Sequence, residues 1–289
     1  MIKSICSKKG DVSVVIATLG LEPLKKVIES LNEGTIAPVE ILICIPEDCV
    51  CNLKDNYPEN VKIISTKEKG QVAQRIVGFT KSSSPYVLQI DDDVILNEDT
   101  LELLINCINH MGNVSVGPKI YDLASGKYHT FLVGSTSPSL IERFFFYIIN
   151  GKQGYQPGKI SLAGVNMGTP ESSMGDRQID WLAGGCILHK RENLILGSFY
   201  PFKGKAYAED IFHSIELRRN GVSLYRCDKA RVEIDFSGPK RTVSSYFQEH
   251  IQNYKVRKEI VNRISGSTLR LKLFTPLDVI RIIFRKLRS

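Results

Sequence analysis

"YVLQIDDDVILNED", Tyr86 to Asp99, runs from mostly apolar residues straight into three consecutive aspartates and back into apolar residues. The loop signal Ser82-Ser83-Ser84-Pro85 precedes it, and Tyr86, Val87, Leu88 and Ile90 are residue types of a short buried strand. Asp91, Asp92 and Asp93 then stand at the strand's carboxyl end, where open α/β sheets bind ligands. Carboxylates packed this closely repel one another unless a cation or hydrogen-bond donors offset the repulsion. A solvated turn capping the next helix is the competing reading, although Asn97 with Asp99 and Thr100 already supplies a cap. From this stretch alone, a metal or nucleotide site and a polar turn both stand.

Outward from the aspartates the chain reads as alternating strands and helices. "DVSVVIATLG" predicts a buried strand over Val12–Ala17, and "EPLKKVIESLNEG" a helix with Leu24, Val27, Ile28 and Leu31 on one face. "VEILICI" is a second strand, apolar almost throughout, and Val61–Ile64 a third. Continuous apolarity, as opposed to alternation, points to a parallel sheet covered on both faces. Gln71–Lys81 and Leu101–Ile108 are helices. Between Asn113 and Gly168 the rhythm is lost, with short β-like pieces and one apolar insert, "LIERFFFYIIN". Order returns with "IDWLAGGCILHKREN", read as a strand passing through Gly184-Gly185 into a helix start. "YAEDIFHSIELRRNG" is a helix closed by Gly221, and "VSLYRC" and "ARVEI" are closing strands. A helix from about Thr242 to Ile264, a Ser-Gly-Ser hinge and a final basic helix complete the chain.

The totals bound the class. In 289 residues, 43% hydrophobic and 24% charged composition fits a globular chain and excludes disordered and fibrous ones. Seven cysteines without a CxxC pair, several inside apolar runs, suit a reducing cytoplasm. Met1–Gly10 has no apolar core of a leader peptide, and no apolar run is long enough to span a membrane. The expected location is therefore cytoplasmic, with peripheral attachment to the inner face of a membrane as an option. The net charge of +7 is uneven: from Lys240 onward twelve Lys or Arg face three acids, while the first 239 residues hold 26 basic and 28 acidic residues. Basicity thus describes an appendage. The expected domains are 1–239, an α/β body, and 240–289, a basic helical extension.

Four segments in order, "VVIATLG", "GQVAQRIVGFTKSSSPYVLQIDDDV", "DWLAGGCILHKREN" and "YAEDIFHSIELRRNG", resemble the family 2 glycosyltransferases over about residues 11–235. The resemblance implies a GT-A fold, a Rossmann-like α/β sheet with helices on both faces, and an inverting transferase using a nucleotide-sugar donor, most simply a UDP-sugar. It implies that Asp93 binds Mg²⁺ or Mn²⁺, that Asp91 faces the ribose or the metal's water shell, that Asp210 is the base, and that Glu209 contacts the acceptor. The residues support this independently. A diphosphate leaving group needs its charge neutralised, which a carboxylate-held divalent cation does, and Glu209-Asp210 opens a helix able to hold a carboxylate at a pocket rim. Asp92 is expected on the opposite face of an extended strand, or on the nucleotide. Ala17, Thr18 and Leu19 leave the first strand and Glu47 the second, both at ligand-facing ends. Arg75 reads as a diphosphate or base contact, with a surface salt bridge as the plain alternative. Gly184 and Gly185 permit close approach of a sugar, and Trp181 reads as core with one edge on the acceptor pocket.

Two departures from the family pattern stand out. Pro46 replaces the common aspartate after the second strand, with Glu47 next, and Leu19 replaces an aromatic residue. Where relatives carry a metal-binding His, this chain has "ARVEIDFSG", offering Glu233 or Asp235, with Asp235 the ligand that could complete a metal site against a simple strand-end acid. None of the five histidines has zinc-ligand spacing, and His189 and His213 read as packing or solvent-facing.

In the tail, "TPLDVIRIIFRKLRS" reads as a helix capped by Thr275 with Pro276 first, apolar at Leu277, Ile280, Ile283, Phe284 and Leu287 and basic at Arg281, Arg285 and Arg288. Such a helix suits an anionic membrane surface, or docking on its own domain or a second subunit as a homo-oligomer. Expected partners are therefore the donor, a glycan or lipid-linked acceptor and a membrane, without nucleic acid. Two other readings account for less of the sequence. A nucleotidyltransferase would carry a Gly-rich basic loop after the first strand, which "ATLGLEPLKK" lacks. A non-catalytic membrane- or nucleic-acid-binding protein would leave the acidic triplet unexplained.

Overall fold

The computed structural model describes residues 8–21, 24–53, 56–129, 131–135, 137–202, 206–236 and 243–288, with side chains at all of these except 8–9, 243–250 and 280–288. In chain order the elements are β1 (Lys8–Ala17), α1 (Leu24–Asn32), β2 (Ile36–Pro46), β3 (Val61–Thr66), α2 (Gln71–Lys81), β4 (Tyr86–Ile90), β5 (Val94–Leu96), α3 (Thr100–His110) and β6 (Val114–Asp122). There follow α4 (Leu140–Asn150), β7 (Arg177–Ile179), β8 (Cys186–Lys190), α5 (Glu209–Arg219), β9 (Ser223–Ile234), α6 (Val243–Arg263) and α7 (Thr268–Arg288). Residues 1–129 with 174–238 form one compact unit, and 130–173 with 239–289 form another.

The first unit holds a nine-stranded mixed sheet among the described residues, in the order β3-β2-β1-β4-β8-β6-β9-β5 with β7 on β9. β1 runs parallel to β2 and β4, and β2 parallel to β3, as the apolar runs require. Val12, Val14, Val15 and Ile16 are fully buried because both faces are covered. Leu24, Val27, Ile28 and Leu31 of α1 join Leu101 and Leu104 of α3 against one face. Phe79 of α2 packs with Val15, Leu42 and Val87 on the other. Gly78 makes that contact short: a Cβ there would lie 2.4 Å from Val15 Cγ1 and 2.7 Å from Cys44 Sγ. The loop before β4 is fixed by buried Glu40 on β2, which accepts from the Ser13 hydroxyl at 2.7 Å, the Ser83 amide at 2.9 Å and Lys62 at 2.8 Å. Burial works against that charge, but these donors outweigh it and hold the carboxyl down at about 2.

Several sequence expectations are corrected. Gly184-Gly185 opens a strand, not a helix: Cys186–Lys190 runs antiparallel between β4 and β6, with Cys186, Ile187 and Leu188 buried. "VSLYRC" and "ARVEI" are one strand, β9, with an irregularity inside it. The α3 helix begins at Thr100 after Asp99, without a side-chain cap from Asn97.

In the second unit, Phe146 and Ile149 of α4 form a core with Val165, Met167, Val261 of α6, and Leu271 and Phe274 of α7. The hinge falls at Ser265, in left-handed backbone at φ 53°, and Gly266. Thr275 does not cap: the helix already runs from Thr268, Pro276 lies inside it, and the Thr275 hydroxyl donates to the Leu271 carbonyl at 2.8 Å. Arg257 pairs with buried Asp278 at 3.2 Å. Leu140, Ile141 and Phe144 of α4 are exposed. The apolar and basic side chains assigned to a membrane from Ile280 onward lie outside the described residues, as does the basic start of the chain. No helix among the described residues is long and apolar enough to cross a membrane.

The close approach at Gly78 is testable. Gly78→Val overpacks the α2–sheet contact and should cost about 1–3 kcal/mol, read as a lower urea midpoint at unchanged slope.

Candidate functional site

The first turns of α2 carry Gln71, Gln74 and Arg75 on one face, at spacings of three and four residues. That face looks at the carboxyl ends of β1, β2 and β4. Gln74 donates from Nε2 to the carbonyls of Thr18 and Cys44, both at 2.7 Å, tying the ends of β1 and β2 together. Gln71 donates to Asp91 Oδ1 at 2.8 Å, and Arg75 donates to the same oxygen at 2.5 Å. The other guanidinium nitrogen donates to Glu209 Oε1 at 2.7 Å.

Arg75 is only 2% exposed, so the residue expected at a diphosphate or base sits inside the protein and joins the two acidic motifs. Burial opposes its charge, and the fields of Glu209 and Asp91 outweigh that and hold it firmly protonated. The Gly184 carbonyl also accepts from Arg75 at 3.2 Å and from Gln89 at 2.6 Å, while the buried Arg75 Nε has no hydrogen-bond partner among the described residues. A side chain at Gly184 would meet Glu209 Oε1 at 2.5 Å, so that glycine makes room for the ion pair. Gly185 accepts from the Asp91 amide at 2.9 Å, holding β4 and β8 together at the acidic end.

β4 stops at Ile90, and Asp91–Asp93 form a turn. Asp92 therefore does not alternate as an extended strand would require: its carboxylate accepts a hydrogen bond from the Thr18 hydroxyl at the exit of β1. Leu19, next in that exit, is pinned by Asn52, which donates to its carbonyl at 2.8 Å. Asp93 is exposed. In the antiparallel register of β5 with β9, Val94 lies opposite Ile234, which makes Asp93 and the exposed Asp235 the next pair outward. Asp91 and Glu209 are thus held by Arg75 while Asp93 and Asp235 are exposed at the strand ends, and the exposed pair fits a hard divalent cation in donor type. Glu47 is exposed in the turn after β2, and Trp181 is buried.

Across from the turn, Ala208 takes left-handed backbone, φ 52° and ψ 33°, a conformation that costs an L-residue about 1–2 kcal/mol. It turns the chain so that Glu209 and Asp210 both fall in the first turn of α5. Their environments diverge. Glu209 is buried and held by Arg75, with its Oε2 buried and without a hydrogen-bond partner. Asp210 is half-buried, its Oδ1 accepting from the Ile211 amide at 2.9 Å. Burial and then the neighbouring Glu209 charge push its carboxyl up from 3.8 to about 7. One turn further along, His213 stacks on Phe199 and Phe79 and lies beside His189. Both imidazoles are buried and neutral: burial carries His189 down to about 3, and His213 is lowered by burial, His189 and Arg75. They are packing residues of the site's floor.

A cleft of about 1000 Å³, lined by Lys67, Lys69, Gln71, Tyr200 and Phe202 among others, borders this cluster. None of the residues singled out from the sequence lines it, and Gln71 is the link between the two. The amide donors Gln71, Gln74 and Gln89 escaped the sequence reading, although the first two share a helix face with Arg75.

The sequence matches the family model described as Glycosyl transferase family 2 over residues 13–164, just over half of the chain. No curated protein matches it significantly. Among solved structures, GalNAc-T7 with UDP, GalNAc and Mn²⁺ is similar at 16% identity and TM-score 0.51, over 86% of this chain and 49% of that one. S. aureus TarS 1-349 is similar at 15% identity and TM-score 0.52, covering 91% and 68%. Its complex with UDP-GlcNAc gives 16% and 0.53, covering 91% and 71%. The chain thus spans about half the length of the first of these, and the likeness establishes a GT-A type fold.

Two measurements check the electrostatics. Arg75→Met strands two carboxylates and should cost about 3–5 kcal/mol in urea denaturation, much of it regained when Asp91→Asn and Glu209→Gln are added. Between pH 3.8 and about 7 the folded protein holds an Asp210 proton that the unfolded chain has released, so this residue's contribution to stability falls as pH rises through that window. Melting temperatures of Asp210→Asn should decline less from pH 4 to pH 8 than those of the native chain.

Proposed function

We propose that this chain, which belongs to glycosyl transferase family 2, moves a sugar from a nucleotide diphosphate donor, in the first instance a UDP-sugar, to a hydroxyl of a glycan or lipid-linked acceptor, inverting the anomeric centre. Synthesis of a surface polysaccharide or glycoconjugate is the setting of this reading. The observation that carries it is the division of labour among four carboxylates. Asp91 and Glu209 are locked by Arg75, Asp93 is exposed at the strand end, and Asp210 is raised to about 7.

Each residue then has a task. Asp210, with a proton affinity near neutrality, accepts the acceptor hydroxyl's proton as its oxygen bonds to the anomeric carbon. The bond from that carbon to the diphosphate oxygen breaks on the opposite side, and its electron pair leaves with the nucleotide diphosphate. Glu209, fixed by Arg75, keeps Asp210 basic through its charge and offers a carboxylate for orienting the acceptor. Asp93 and Asp235, with the second oxygen of Asp91, would hold Mg²⁺ or Mn²⁺, which when bound neutralises the leaving diphosphate. Thr18 and Leu19 lie at the exit of β1, Asp92 in the turn after β4 against Thr18, and Glu47 after β2, where a nucleotide is expected in such sheets. Gly184, Gly185 and Trp181 are assigned to the sugar, the two glycines being the residues that lie against Glu209 and Asp91. The UDP, Mn²⁺ and UDP-GlcNAc named for the solved structures of similar fold support the donor and cation classes.

Asp210→Asn should lower sugar transfer by about 10²–10⁴-fold while leaving donor binding intact. Asp93→Ala should lose the extra thermal stabilisation that Mn²⁺ gives with UDP. A panel of nucleoside diphosphates with and without Mn²⁺, followed by donor hydrolysis assays, tests both. Full transfer by both variants would remove the mechanism.

A further inference from the structure

A second group of ligating side chains lies where α3 packs on β9, in residues that the transfer reading does not use. Cys107, in the last turn of α3, and Cys227, on β9, are buried free thiols, and Asp176, just before β7, is exposed. One ligand atom from each lies within 4.8 Å of the others. The Cys107 thiol faces Asp176 Oδ2 at 3.7 Å, and the Met111 thioether sulfur is 4.0 Å from the same Sγ.

Three local features bring these atoms together. Cys107 and Met111 are four residues apart and share a helix face. β7 pairs antiparallel with β9 at Arg177 and Arg226, so Asp176 is the neighbour of Cys227 in that register. β9 also leaves its ladder with β6 here: Gly117 pairs with Arg226 but Lys119 with Arg231, so the stretch from Cys227 to Ala230 bulges. A hydrogen bond of 2.8 Å from the Asp228 amide to Asp176 Oδ1 orients the carboxylate with its other oxygen at the thiols.

We propose that Cys107, Cys227 and Asp176 form a site for a thiophilic divalent cation of the zinc class, with the fourth position beside Met111. Bonds of about 2.3 Å to sulfur and 2.0 Å to oxygen give a tetrahedron with ligand–ligand edges of roughly 3.5–3.8 Å. The 3.7 Å separation of Cys107 Sγ and Asp176 Oδ2 falls in that range. Binding converts both thiols to thiolates and releases two protons to solvent, leaving a complex of two sulfurs, one carboxylate and one cation. The exposed carboxylate gives the ion a route to the buried sulfurs. Hard cations prefer the all-oxygen donors of the aspartate turn, so the two sites differ in the metals they take.

The test uses the full, reduced chain with Zn²⁺ and Co²⁺ as probes, in the native sequence and in an Asp93→Ala background that weakens cation binding at the acidic turn. One tightly held Zn²⁺ is expected in both, with a thiolate-to-cobalt charge-transfer band on Co²⁺ substitution that Cys107→Ser and Cys227→Ser each abolish. Since serine in the core can disturb folding, Asp176→Asn at the exposed ligand serves as the second variant. It should weaken Zn²⁺ by about tenfold or more with unchanged circular dichroism. Absence of the cobalt band in the folded native chain, zinc affinity indifferent to Asp176→Asn, or a Cys107–Cys227 disulfide forming in place of zinc uptake would overturn the proposal.

Discussion

The ion pair from Arg75 to Asp91 and Glu209 is the interaction on which the candidate site depends. It joins residues 134 positions apart in sequence, and its guanidinium is withdrawn from water. Taking that charge inside costs several kcal/mol unless partners of opposite sign accept its hydrogen bonds. Here two carboxylates and the Gly184 carbonyl do so, and Gly184 has no side chain because one would collide with Glu209. The acidic turn, the Gly-Gly strand and the head of α5 are therefore a single electrostatic unit. Its geometry follows from burying one arginine.

Much of this frame was legible in the sequence. Continuous apolar runs in β1 and β2 required two covered faces, and the four-residue rhythm of α1 gave its buried side, because periodicity records burial directly. The aspartate triplet was legible as a site because like charges at a strand end need an explanation. Harder to read was everything set by long-range register. Cys186–Lys190 carries the apolarity of a core strand, yet a Gly-Gly pair before it also suits a helix start, and only pairing with β4 and β6 decides the matter. Asp92 was assigned by alternation, which fails once the strand gives way to a turn. The partners of Arg75 could not be derived from spacing, because a helix face does not reveal which carboxylates it will meet.

The tail illustrates a different limit. A Thr-Pro pair before an amphipathic stretch has the form of a helix start, but here the helix had begun seven residues earlier. Proline costs least at a first turn, yet it is tolerated inside a helix when packing on the flanking turns outweighs the lost hydrogen bond. Leu271 and Phe274, both buried in the second unit, supply that packing, and the Asp278 pair with Arg257 adds to it. Local propensity and tertiary burial disagreed, and burial won.

The acidity of the site also bears on the chemistry of Asp210. The buried guanidinium pairs with Asp91 and Glu209, and Asp210 adjoins Glu209, so the local charge balance is negative when all three are ionised, and burial together with the Glu209 charge favours a proton on Asp210. Its affinity is consequently a measure of whatever else occupies the turn. Added positive charge near Asp93 lowers it, and added negative charge raises it, with a strength set by how much water remains between them. On the proposed reading, donor and cation arrive together with partly cancelling charges, which leaves Asp210 near the neutrality at which a base is most effective. Glu209 is already engaged, its Oε1 accepting from the buried Arg75 at 2.7 Å.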